Sequence, residues 1–302
     1  MNRRNFLTCS TAALIALRMS MANASLIIPD SEGAKILLWA GTPPGGGGPT
    51  GDEIVSAKGA LTNVSRPSLR VFKPERPNGK AVLVAAGGGY KRMEMGMEAW
   101  PAAQWLTARG YTAYVLSYRL PGEGWADGNK VSLQDAQRAL RIIRSREKQV
   151  SVLGFSAGGH LLGMAVTATG EATYAPRDHL DSTPAVADAA ALIYPVITLL
   201  PPYDKTSTHK LLVGPHAPEA EDAKWSVQTR VTSRTPRMFL AQAEDDPISD
   251  PANTLIMAAA CEHEHVAVEM HRYASGGHGF GLGRPGTPTT EWPAAYEKWL
   301  NA

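Results

Sequence analysis

The chain predicts an α/β fold in which a mostly parallel central sheet is covered by helices on both faces. Short apolar, strand-like runs recur along it, and helix-like stretches lie between them. Strands that alternate with helices imply right-handed crossovers, and those place the strands parallel. With 302 residues, 44% hydrophobic and 19% charged, the chain suits one large domain that can bury such a sheet. There is no internal repeat and no sign of a second domain.

The elements follow in order. Ile36-Leu37-Leu38-Trp39 comes first and leads into Gly41 to Gly51, a Pro/Gly loop with four consecutive glycines. No Gly-Lys-Ser/Thr follows the glycines, so a phosphate-binding loop is excluded and the segment reads as flexible surface. Strand-like runs are Leu69 to Phe72, Ala81 to Ala86, Thr112 to Tyr118, Val150 to Phe155, Ala189 to Tyr194, Met238 to Ala241 and Val266 to His271. Helix-like stretches are Ala99 to Arg109, Ser132 to Arg146, Ala157 to Ala168 and Asn253 to Cys261. In the second of these Leu133, Ala136, Leu140 and Ile143 form one stripe, with Arg138, Arg141 and Arg144 outside it. Ser132 is placed to cap that helix, with Asp135 at the capping-box position.

The N-terminus reads as an export signal over residues 1–24. Arg3-Arg4 precedes Phe6-Leu7, a short apolar stretch runs from Ala12 to Leu17, and Ala22-Asn23-Ala24 supplies the small-residue cleavage site. The apolar stretch is too short to span a membrane. The paired arginines resemble a twin-arginine signal, which implies a periplasmic or secreted protein. Taking Arg3, Arg4 and Arg18 from the 30 basic residues leaves 27 against 28 acidic ones. A charge near −1 gives no reason to expect a nucleic-acid partner or insertion of the mature protein into a membrane. Cys9 leaves with the signal, so Cys261 stands alone and no intramolecular disulfide is expected.

The chemistry centres on Gly154-Phe155-Ser156-Ala157-Gly158, directly behind the run Val150 to Leu153. A serine flanked by glycines between strand and helix fits a nucleophile elbow, a turn too tight for side chains on either side. Such a serine needs a base, an acid to orient the base, and amide donors for the oxyanion. His278 lies in the glycine-rich loop Gly276-Gly277-His278-Gly279 after the last strand, where the base belongs. The acid should follow the preceding strand, and Glu244-Asp245-Asp246-Pro247 offers three carboxylates there. Asp246 is favoured because Pro247 fixes the backbone beside it. Gly87-Gly88-Gly89 can turn amides toward the serine, so Gly88, Gly89 and Ala157 are the expected oxyanion donors.

Gly87-Gly88-Gly89-Tyr90, Leu116-Ser117-Tyr118-Arg119, Asp135-Ala136-Gln137-Arg138, Gly154 to Leu161, Asp245-Asp246-Pro247 and Gly276 to Phe280 stand in the order seen in the acetyl-esterase branch of the α/β-hydrolases. The chain resembles that branch from about Trp39 onward. The resemblance implies an α/β-hydrolase fold and a serine esterase acting on short acyl esters, acetyl foremost, of carbohydrates or similar small molecules. By the same resemblance Ser156, Asp246 and His278 are the nucleophile, acid and base, and no cofactor or metal is needed. Related esterases carry histidine or proline before the three glycines, where this chain has Ala86. His160, on the helix after the elbow and ahead of the acid, reads as a buried brace. Cys261, His263 and His265 fit no common zinc spacing. Trp125, Tyr203 and Trp225 fall in loops where they can stack on a sugar or pack, and Tyr90, Trp125 and Trp225 are the expected substrate contacts. An amidase or peptidase on the same fold, and a non-catalytic binding protein, are the alternatives. The oligomeric state is left open. The segment Thr198 to Thr235 is rich in Pro and charged residues, which predicts no long apolar trough for a fatty acyl chain.

Overall fold

A computed structural model of the chain describes residues 33–168 and 170–302. The export segment proposed for residues 1–24 lies outside the described residues. Eight strands form one sheet: β1 (Ala34–Leu37), β4 (Ser68–Phe72), β7 (Thr112–Ser117), β5 (Lys80–Ala85), β8 (Gln149–Phe155), β9 (Ala189–Ile193), β10 (Arg237–Ala243) and β11 (Val268–Tyr273), in that spatial order. From β7 to β11 every neighbouring pair is parallel, while β1 and β4 are antiparallel additions at one edge. A small antiparallel sheet of β2 (Ile54–Val55), β3 (Ala60–Thr62) and β6 (Met93–Glu94) lies apart from it. The central strands are apolar over most of their length because both faces are covered. Val82, Leu83 and Val84 of β5, and Val150, Val152 and Leu153 of β8, are fully buried.

Seven helices accompany the sheet among the described residues: α1 (Trp100–Thr107), α2 (Lys130–Arg144), α3 (Ala157–Thr167), α4 (Ser207–Leu212), α5 (Glu219–Lys224), α6 (Ala252–His263) and α7 (Trp292–Asn301). They flank both faces of the sheet. Trp105 of α1 stacks on Tyr296 of α7. The predicted strands and the four predicted helices are all present, with ends displaced by a residue or a few. The final strand, for instance, runs Val268–Tyr273 rather than 266–271.

Three local expectations are corrected. The second helix begins at Lys130, so Ser132 is not its cap; its hydroxyl donates to the Arg119 carbonyl at 2.6 Å. Asp135 is fully buried and accepts from the Arg119 guanidinium, the Arg119 amide and the Trp39 indole at 2.8–3.1 Å. Two buried charges persist there because every donor and acceptor is matched. Arg138 is likewise buried, against Asp178, Asp181 and the Leu38 carbonyl, while Arg141 and Arg144 bond the carbonyls of Thr183 and Val186. The segment from 178 to 188 lies along this side of α2, and no sequence periodicity announces such a cover.

The third correction concerns the glycine loop, which is at the surface but tied down. Gly45 and Gly46 accept from the amides of Asp127 and Ala126, Gly48 donates to Gly124, and Arg119 bonds the Pro44 carbonyl. Four successive positive φ values, from 54° to 100°, are needed to follow this path, which is why the positions are glycine.

Candidate active site

The parallel strands end at one edge, and the turns beyond their carboxyl ends carry the site. β8 runs into α3 through Ser156, whose φ of 49° and ψ of −117° are strained for a residue with a side chain. The glycines make this turn possible by close approach. A Cβ at Gly154 would lie 2.5 Å from the Gly158 carbonyl oxygen, and one at Gly158 would lie 2.3 Å from that of Ala85. The elbow therefore projects Ser156 over the strand ends.

His278 reaches it from the loop after β11, with Ser156 Oγ 2.8 Å from His278 Nε2. His278 Nδ1 is 2.8 Å from Asp246 Oδ2. A carboxylate only accepts, so Nδ1 carries the proton and Nε2 is left to accept from the serine hydroxyl. Asp246 is itself held by the amides of Ile248 and Ser249 and by the Gln242 side chain, at 2.8–3.0 Å, and its side chain has no exposed surface. That satisfied cradle lets a charge stay in the interior.

The three adjacent carboxylates have separate partners. Glu244 pairs with Arg272 on β11, and Asp245 accepts the Gly277 amide at 2.7 Å, bracing the loop that carries the histidine. Asp246 alone meets the imidazole. The order of these residues along the exit from β10 sorts them, since successive side chains leave in different directions.

Gly88 and Gly89 line the same cleft as Ser156 and His278, which has a volume of about 440 Å³. Among the described residues, the amides of Gly88, Gly89 and Ala157 have no protein acceptor; Ala157 opens α3, where N–H groups lack intrahelical partners. Ala86, at the position where related esterases carry histidine or proline, contributes its carbonyl to the Tyr118 hydroxyl at 2.9 Å. Its neighbour Gly87 donates to the buried carboxylate of Glu98 at 2.6 Å. Sequence reasoning missed Glu98 and Tyr118 as braces. The one signal was an acidic residue in the otherwise apolar stretch Met95 to Trp100.

The expected substrate contacts are corrected. Tyr90 is 2% exposed and bonds His160 Nδ1 at 2.9 Å, and His160 Nε2 donates to the Trp225 carbonyl at 2.8 Å. Burial lowers the His160 pKa to about 4, so the ring is a neutral brace beneath the elbow. The Trp225 ring is buried with its indole N–H on Glu221, and Trp125 is covered by the Arg119 guanidinium, 4.9 Å from the ring centre. Large aromatic surfaces gain more by covering the core than by waiting for a ligand. Of Trp125, Tyr203 and Trp225, Tyr203 is the one near the site, in a groove that adjoins the cleft and shares Lys91, Thr206, Ser207 and Ile248 with it. Cys261 is buried, its thiol pushed up to about 12, whereas His263 is exposed beside Glu264. Among the described residues no group of three or more metal-binding side chains is assembled, and no helix is long and apolar enough to cross a membrane.

The family model described as Alpha/beta hydrolase family matches residues 81–295, well over half of the chain. The chain belongs to the alpha/beta hydrolase family. It is 29% identical over 241 residues to an acetylxylan esterase of Xylanibacter ruminicola, covering 74% of this chain and 45% of that protein. It is also 29% identical over 211 residues to endo-1,4-beta-xylanase B of Butyrivibrio fibrisolvens, covering 66% of this chain and 32% of that protein. The chain thus spans less than half the length of these curated relatives. Among solved structures, an acetyl ester-xyloside bifunctional hydrolase from Caldicellulosiruptor lactoaceticus superposes with a TM-score of 0.73 at 28% identity, covering 89% of this chain and 96% of that one. A carboxylesterase from Lactobacillus plantarum shares the fold at a TM-score of 0.65 and 23% identity, covering 83% and 96%.

Proposed function

We propose that this alpha/beta hydrolase is a serine esterase that removes short acyl groups, acetyl foremost, from carbohydrates or similar small esters. The observation that carries the reading is the hydrogen-bonded row Ser156, His278, Asp246 at a cleft bordered by uncommitted amides. Ser156 Oγ attacks the ester carbonyl carbon while His278 Nε2 takes the hydroxyl proton, and Asp246 stabilises the imidazolium. The amides of Gly88, Gly89 and Ala157 receive the oxyanion. Collapse expels the alkoxide, which takes the proton from His278 and leaves an acyl-serine. Water then repeats the sequence, with His278 as base, and releases the acid.

The short-chain preference is supported by the cleft's walls. Thr206, Ser207 and Thr208 at the start of α4 close one side, and a Cβ at Gly89 would stand 1.9 Å from Ser207 Oγ, so α4 crowds the oxyanion loop. Carbohydrate substrates are supported by the acetylxylan esterase and xyloside hydrolase relatives. Export through a twin-arginine-type signal is proposed from Arg3-Arg4 and Ala22-Asn23-Ala24, and N-terminal sequencing of the periplasmic protein tests it, with Ser25 the expected first residue.

The deciding experiment is fluorophosphonate labelling with a panel of aryl esters and a matched anilide. Ser156→Ala should abolish labelling and lower kcat by several orders of magnitude, down to the roughly 10³–10⁴-fold over water that binding and amides retain. On wild type, kcat/KM should be highest for acetate or propionate and at least about tenfold lower for octanoate, whose extra length meets the α4 side of the cleft. Full activity in Ser156→Ala refutes the nucleophile; a profile that rises with chain length refutes the substrate class; faster anilide turnover makes the protein an amidase.

A further inference from the structure

Glu98 is a carboxylate in the wall of the cleft that the acyl-transfer steps leave unused. It is 4% exposed and sits in the single π-helical turn Met95–Ala99 ahead of α1. Such turns often mark functional positions. Oε2 accepts the Gly87 amide at 2.6 Å and Oε1 accepts the Tyr194 hydroxyl at 3.0 Å. Tyr194 Oη in turn accepts the Gly281 amide at 3.1 Å, and the Tyr194 ring meets the His278 ring edge to face, with centroids 5.0 Å apart. Tyr194 holds a positive φ of 38° directly after β9, so its placement is a strained one. One side chain thus ties the turn that bears the oxyanion amides to the loop that bears the base. The Gly87 end of this tie is against the nucleophile, since a Cβ there would lie 2.7 Å from Ser156 Cβ.

We propose that ionised Glu98 is a positioning residue for acyl transfer, holding the Gly87–Gly89 turn open to the oxyanion and, through Tyr194, the histidine loop in reach of Ser156. The inference rests on the serine-esterase reading above. The two hydrogen bonds favour the ionised form. The Gly87 amide can only donate, and the Tyr194 oxygen already accepts from Gly281, so it too donates to Glu98. A carboxylate accepts both. A protonated carboxyl accepts both more weakly, because one of its oxygens then carries a hydrogen and no negative charge.

The groups that face Glu98 are Glu94 on β6, Tyr118 at the end of β7, Tyr194 after β9 and His278, with Asp246 beyond Tyr194. Burial, and to a smaller degree Glu94, raises its pKa to about 7, against the pull of the two hydrogen bonds and of His278. The tie is therefore made and broken near neutral pH, and a charged Glu98 favours the imidazolium formed during acyl transfer.

The test is the pH dependence of p-nitrophenyl acetate hydrolysis by wild type, Glu98→Gln and Tyr194→Phe, over about pH 5 to 9, with active sites counted by fluorophosphonate titration. In wild type, log kcat/KM should rise on the acid side with a slope above one, because two groups must lose protons. Glu98→Gln should lower kcat at alkaline pH about tenfold or more per titrated site, change KM by less than about threefold, and reduce the acid slope to one. Tyr194→Phe should lose kcat less severely and keep the steep limb. A Glu98→Gln protein with wild-type kcat per site and wild-type slope overturns the proposal, as does a loss explained wholly by fewer titratable sites. Wild type that hydrolyses no ester and takes no label would instead overturn the esterase reading.

Discussion

Replacing Glu98 by glutamine should stabilise the protein, and by an amount that depends on pH in a way burial dictates. The carboxyl is buried, and its pKa is raised from 4.5 to about 7, chiefly by desolvation. At about 1.4 kcal/mol per unit, that rise corresponds to about 3 kcal/mol. Because the folded-state value is the higher one, the neutral form is favoured by folding. The stability this group contributes is present in full below pH 4.5, declines as the pH rises through about 7, and is absent above it. Glutamine has nearly the same volume and never ionises, so it escapes the loss. The two proteins should have similar stability near pH 4.5, and the variant should be ahead by about 3 kcal/mol at pH 9, roughly 5 °C in Tm for a chain of this size. Thermal unfolding of both across that range by calorimetry or circular dichroism reads the difference directly, and the other titrating groups, His160 among them, are common to both chains. A Tm difference that stays flat with pH would refute the reasoning. Stability gained together with acyl transfer lost would make Glu98 a site where function is kept against stability.

Asp246→Asn should lower kcat by about 10⁴, because an amide facing Nδ1 favours the tautomer that cannot accept from Ser156. Asp245→Asn should cost less than about tenfold, since its amide oxygen can still accept from Gly277; the reverse ranking on p-nitrophenyl acetate would move the assignment by one residue. Asp135→Ala should destabilise the fold by about 3–5 kcal/mol, because it strands the fully buried Arg119 guanidinium without its carboxylate. A urea midpoint equivalent to less than about 1 kcal/mol of loss would show that the pair is not what holds α2 against the end of β7.

The parallel sheet was legible in the chain because strands covered on both faces, such as Lys80–Ala85 and Gln149–Phe155, must be apolar over most of their length. The elbow was legible for a local reason too, since Gly154 and Gly158 are dictated by contacts within a few residues or with the neighbouring strand. The order of serine, acid and histidine followed from placing those residues at successive strand ends. Tertiary structure decided the rest. Which of Glu244, Asp245 and Asp246 faces His278 depends on how the chain turns out of β10 beside a loop some thirty residues away. Ser132 looked like a cap because capping is judged from neighbours in sequence, yet its partner is the Arg119 carbonyl on a different element. The aromatic rings of Tyr90, Trp125 and Trp225 have the same chemistry in a cleft as in a core, and only the packing around them says which they occupy. Glu98 is the clearest case. Its carboxylate acts on Gly87 and Tyr194, 11 and 96 residues away in the chain. Side-chain chemistry is written locally, but hydrogen-bond partners and burial are properties of the assembled strand order, and these set the charge, the tautomer and the reach of each group.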